Sequence, residues 1–170
     1  MNWIEKVRFL KEAKESKKYL GKYFIDIGPE DNLWRPGELE GILIEYPYVP
    51  GSYREFVKEF DNLGLGFVVF YGSEAGGIIV LKEEVEYWRD ILKGEYFPFG
   101  KDADGSIFTF NKRGEVIYFS REDFDCKDPI KITDSFEEFI GECLLGKRYT
   151  EFETTENNSF YDFMKLQGWM

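Results

Sequence analysis

At 170 residues the chain has the length of one domain, and 43% hydrophobic and 19% aromatic content, with 17 Phe, sets it far from a disordered composition. Its 22 basic against 33 acidic residues leave a net charge of −11, which disfavours nucleic acid and anionic lipid and either attracts basic proteins or serves solubility alone. Histidine is absent and neither Cys126 nor Cys143 lies in a CxxC, so histidine-dependent catalysis, a thiolate zinc site and a disulfide framework all lack support.

The charge is uneven. Residues 1–22 hold seven basic and three acidic groups, leaving 15 against 30 for the rest. From Trp3, the residues Val7, Leu10, Ala13 and Leu20 recur at helical spacing, which predicts an N-terminal helix within 1–22 with Gly21 as its stop. Lys11, Lys14, Lys18 and Lys22 occupy other positions of that wheel and read as a solvated face, since no aromatic platform or helix-turn-helix pattern accompanies them. Charges every few residues interrupt any signal-peptide core, and no later apolar run reaches the ~18 to 20 residues of a membrane span, so a cytoplasmic location is expected.

Between Tyr23 and Pro50, "YFIDI" and "GILIEY" read as strands around the loop chemistry of "GPEDNLWRPGE", with a helix over Glu38 to Glu45 as the alternative. In "PGSYREFVKEFDNLG", Ser52 with Glu55 reads as a capping box, and Tyr53, Phe56, Val57 and Phe60 follow one apolar face. "GFVVFYG" and "GGIIVLK" read as a hairpin, followed by a helix in which Val85, Trp88 and Leu92 share a face before Gly94.

"YFPFGKDADGSIFTFNKRGEVIYF" sets two acids beside a glycine between hydrophobic runs. An EF-hand register with Gly105 at position 6 puts Gly100 at position 1 and Asn111 at position 12, so it fails at both ends. Asp102 and Asp104 then read as turn residues, with Gly105 free to take positive φ; "SIFTF" and "EVIYF" pair across "NKRG". In "DSFEEFIGECLLG", Asp134 or Ser135 is the N-cap, and Phe136, Phe139, Ile140, Cys143 and Leu144 form one face, so Cys143 points inward as an inert small hydrophobe. A last short helix over 158–167 places Phe160, Phe163 and Met164 against the body.

The ordered set of "VPGSYREFVKEFDNLGLG", a strand pair and a helix, "YFPFGKDADGSIFTFNKRGEVIYF" and "DSFEEFI" resembles the SUKH superfamily, most strongly over 49–145. That superfamily includes fungal cell-wall-assembly regulators and many bacterial immunity proteins. The chain departs from it in Asp61-Asn62-Leu63-Gly64, where many relatives resemble "NGG", in a turn less rich in glycine, and in showing no evident short Glu-rich helix upstream of Pro47. The resemblance implies an α+β fold, a central, mainly antiparallel sheet with helices packed around it, formed by a single domain over 1–170. It further implies protein binding without catalysis. An immunity protein that sequesters a cognate basic toxin, a nuclease for example, fits the acidic body; a regulatory scaffold like the fungal relatives, or an enzyme using surface carboxylates, are the alternatives.

No catalytic residue, metal or cofactor is expected. Asp102, Asp104, Glu122, Asp123 and Asp125 bracket the two strands, with Phe119 and Phe124 as apolar anchors, and this set is the expected partner-binding face. A solvated turn plus two core phenylalanines is the other reading of the same residues.

Overall fold

The computed structural model describes residues 1–26, 34–76 and 79–170. Among these, seven strands form one antiparallel sheet in chain order: β1 (Phe24–Asp26), β2 (Leu63–Leu65), β3 (Val68–Phe70), β4 (Tyr96–Lys101), β5 (Ile107–Asn111), β6 (Val116–Phe119) and β7 (Ile130–Thr133). The helices are α1 (Trp3–Ser16), α2 (Glu38–Leu43), α3 (Gly51–Glu59), α4 (Leu81–Leu92), α5 (Phe136–Glu138) and α6 (Ser159–Leu166). The fold is therefore α+β, with a central antiparallel sheet.

Successive residues of a strand face opposite sides, and both sides of β5 are covered. Phe108 and Phe110 join the main core with Phe99, Phe136 and Phe139, beneath α3 and α5. Ile107 faces the other way and packs with Ile117, Phe119 and Leu92, beneath α4. Phe119 is fully buried in this second cluster with Tyr96 edge-on at 5.0 Å, so it is a core residue and no surface anchor.

Helix α1 starts with a capping box between Asn2 and Glu5, and buries Val7, Leu10 and Ala13 as the periodicity predicts. It stops at Ser16, earlier than Gly21, and Leu20 reaches the core from a 3-10 turn over Lys18–Lys22. The run α5 widens after Glu138 into a π-helical turn, Phe139–Leu144, which still buries Phe139, Ile140, Cys143 and Leu144. Lys6 closes that turn: its Nζ donates to Gly141 O at 3.1 Å and Leu145 O at 2.8 Å.

Three further local readings change. The "GILIEY" segment forms no strand; α2, with Glu38 and Glu40 in its first turn, supplies a short Glu-rich helix before Pro47 and buries Leu39 and Leu43. The "GFVVFYG" strand pairs with β2 and β4, and among its described residues the "GGIIVLK" segment contributes one parallel bridge, Gly72 to Val80, before α4 begins at Leu81. Of that segment Gly77 and Ile78 lie outside the described residues, as do Ile27 of "YFIDI" and 28–33 of the predicted loop. Ser52 caps nothing: α3 begins after Pro50, and the Ser52 hydroxyl is buried without a hydrogen-bond partner.

The two predicted caps should therefore separate experimentally. Ser135 Oγ accepts from Glu138 N at 3.1 Å, while Glu138 returns a bond to Asp134 N at 3.1 Å. We expect Ser135→Ala to cost about 1 kcal/mol and Ser52→Ala less than about 0.5 kcal/mol in urea melts. Equal costs would contradict the cap geometry.

Glu115 ties β7 to the β5–β6 hairpin. It accepts from Lys131 at 2.8 Å, Asn111 at 2.6 Å and Arg113 at 2.7 Å, and these bonds, Lys131 foremost, hold its carboxyl down to about 2. The folded value lies below the ordinary ~4.3, so the stabilisation is fully present above that pH and is lost as pH falls toward 2. Glu115→Gln should thus lower the melting temperature at neutral pH, with the difference from the parent shrinking between about pH 4.5 and 2. A pH-independent difference would overturn this assignment.

Candidate functional site

The β4–β5 turn is built by its own first acid. Asp102 Oδ1 accepts from Asp104 N and Ser106 N, both at 3.0 Å, and Gly105 sits at φ +89°, where a side chain would be strained. This is the turn chemistry the sequence predicts. The second Asp102 oxygen faces the Tyr118 hydroxyl at 3.4 Å. Asp104 projects from the exposed tip.

Residues 120–128 form a separate loop. Asp123 organises it by accepting from Lys127 N at 3.0 Å and Asp128 N at 2.8 Å, and Asp125 pairs with Lys127 at 2.6 Å, which lowers the Asp125 carboxyl from its ordinary value. Phe124 is 80% exposed and Glu122 is exposed. Arg121 joins the two parts, its backbone N donating to Ser106 Oγ at 3.0 Å and its guanidinium to Asp104 O at 3.3 Å. Desolvation raises the Cys126 thiol to about 11 and the Cys143 thiol to about 12, so neither supplies a thiolate near neutral pH.

The six candidate residues do not share one cleft. Asp102 and Asp104 line a groove of about 680 Å³, whereas Asp125 lines another of about 490 Å³ beside Leu92, Lys93 and Cys126 at the end of α4. Both edge strands contribute to the larger groove: Ile25 from β1, and Ile130 and Ile132 from β7. Phe67, from the β2–β3 turn, stacks on Phe152 at 5.3 Å along one wall. Glu151 and Glu153 join Asp102 and Asp104 among its lining residues, with Lys22 as the one cation there among the described residues.

These additional groove residues escaped the sequence reading. Only the acids of "TEFETTEN" left a local signal, an acidic run just after a buried helix; the apolar members look like ordinary strand residues until the sheet brings them together. No group of three or more Cys, Asp or Glu that could hold a metal occurs among the described residues. No described helix is long and apolar enough to cross a membrane.

A SUKH family model, described as SMI1-KNR4 cell-wall, matches residues 49–140, more than half of the chain. No curated protein matches the sequence. The matched segment runs from the residue before Pro50 through β7 into the π-helical turn, so it contains all six candidate residues. Lys22, Ile25 and residues 151–153, which complete the groove, lie outside it.

Proposed function

The chain belongs to the SMI1-KNR4 cell-wall (SUKH) family, and from that premise we propose that it is a single-domain immunity protein that sequesters and neutralises a cognate basic protein toxin. Family membership supports a role in protein interaction; the toxin-directed role is our reading. A nuclease is the class of toxin that fits best, because its substrate-binding face is itself basic. The proposal assigns no catalytic step to the chain, and it places its action in the cytoplasm.

The observation that carries this reading is the placement of carboxylates on an acidic body beside exposed apolar side chains. Asp102, Asp104, Glu122, Asp123 and Asp125 stand on two neighbouring loops linked by Arg121, with Phe124 80% exposed between them. Acidic groups at a rim raise the encounter rate with a basic partner, and an exposed aromatic supplies area that the bound state desolvates.

Reversing Asp102 and Asp104 together to Lys tests it. Asp104 is exposed and contributes little to stability, whereas Asp102 holds the turn, so Asp104→Lys alone serves as the folding-neutral partner variant. Association with a basic nuclease toxin should slow by about tenfold at low salt and lose much of its salt dependence. Toxin binding and protection equal to the parent's would place the contact face elsewhere.

A further inference from the structure

The larger groove has a composition that selects its occupant. Ile25 and Ile130, 45% and 51% exposed, line it from the two edge strands of the sheet. Its volume, about 680 Å³, lies within the range of about 300–1,000 Å³ that binding clefts occupy. Four carboxylates surround this apolar surface, and they are not equally committed. Glu151 is paired with Arg148 at 3.0 Å, and Asp102 gives one oxygen to the turn. The carboxylates of Asp104 and Glu153 have no cation partner among the described residues. Burial raises the Glu153 carboxyl from its ordinary value, as expected for a charge short of both water and a counter-ion.

We infer that this groove receives an extended, cationic and apolar segment of a protein partner, whose aliphatic or aromatic side chains pack against Ile25 and Ile130 while a Lys or Arg pairs with Asp104 and Glu153. The inference rests on the protein-binding reading above and narrows it to one of the two clefts. A second copy of this chain is a poor occupant, because each copy carries a net charge of −11. An extended segment suits the place, since alternate side chains of such a segment face opposite ways, apolar toward the isoleucines and basic toward the carboxylates.

The probe is a fluorescein-labelled nonapeptide that alternates leucine or phenylalanine with lysine or arginine, titrated against the full chain by anisotropy. Two control peptides replace either all apolar residues by serine or all basic residues by glutamate. Saturable binding of the first peptide, at least about tenfold tighter than either control, is expected. Asp104→Lys and Ile130→Lys should each weaken it by about tenfold, and Asp90→Lys, an exposed position in the other cleft, should leave it unchanged. Lys is well tolerated on an edge strand, and a melt of each variant checks the fold.

Equal binding of the serine control would reduce the site to bulk charge and overturn the inference. So would insensitivity to both groove substitutions, or self-association of the parent that Ile130→Lys abolishes, which would make a second copy the occupant. Absence of peptide binding also overturns it, yet leaves the broader protein-binding reading to be decided by the Asp102 and Asp104 reversal, so the two failures are distinguishable.

Discussion

Truncating Phe136 to Ala is expected to cost about 3–5 kcal/mol, a large share of the ~5–15 kcal/mol that holds a domain of this size. Phe136 has no exposed surface and stands where the helical layer meets the sheet. Its ring meets Phe56 at 5.2 Å, Tyr53 at 5.5 Å, Trp3 at 5.8 Å, Phe110 at 5.8 Å and Phe99 at 5.9 Å, all of them edge-on. Edge-to-face contacts add to the area that burial removes from water. The neighbours belong to α1, α3, β4 and β5, so collapse onto the vacated volume would require several elements to move together. Denaturant melts with an unchanged m-value would measure the loss. A cost below about 1 kcal/mol would mean that this cluster is not the centre of the core. Phe56→Ala and Phe139→Ala, both fully buried, should fall in the same range of about 3–5 kcal/mol.

Replacing Asp61 by Ala should cost on the order of 3 kcal/mol through polar contacts alone. Asp61 is 6% exposed and accepts from Ser73 N at 2.6 Å, while its other oxygen takes the Ser73 hydroxyl. Ser73 Oγ in turn accepts from Gly76 N at 3.1 Å, and Asn62 Oδ1 accepts from Ile79 N at 3.2 Å. The pair Asp61-Asn62 is thus the anchor of the crossing from β3 to α4. A side chain at Gly72 or Gly76 would run into Asp61 and Asn62, which explains why glycine occupies both positions. Without the carboxylate, the buried Ser73 N–H and hydroxyl lose their acceptors. Urea melts give the cost, and limited proteolysis should open first at the 73–76 turn. Ordinary stability with an intact turn would show that water replaces the carboxylate.

The departure Asp61-Asn62-Leu63-Gly64 noted in the sequence therefore has a structural use. Likewise the acids of "KDADG" and "REDFD" divide their labour. Asp102 and Asp123 spend oxygens on their own loops, whereas Asp104, Glu122 and Phe124 point outward with less structural commitment. That division is invisible in the sequence, where the acids look equally exposed and Phe124 reads as either an anchor or a core residue.

What the sequence determined by itself is whatever short-range geometry decides. Ser135 followed by Glu138 caps α5, Gly114 at φ +77° turns the β5–β6 hairpin, Gly105 turns β4 into β5, and helical spacing puts Val85, Leu92, Phe160, Phe163 and Met164 inside. In each case the partners lie within a few residues, so spacing alone specifies them. The tertiary structure decided the rest. β3 chose β2 and β4 over the 76–82 segment, and Gly100 is where β4 must pass Val69 O closely, 2.9 Å from where a Cβ would sit. Ser52 lost its capping role because α3 begins one residue before it, at Gly51, and Phe119 was buried because α4 covers the second face of the sheet. The groove arises only when β1, β7, two turns and residues 151–153 meet, since hydrogen bonds between distant strands, and no local preference, set which side chains share a surface.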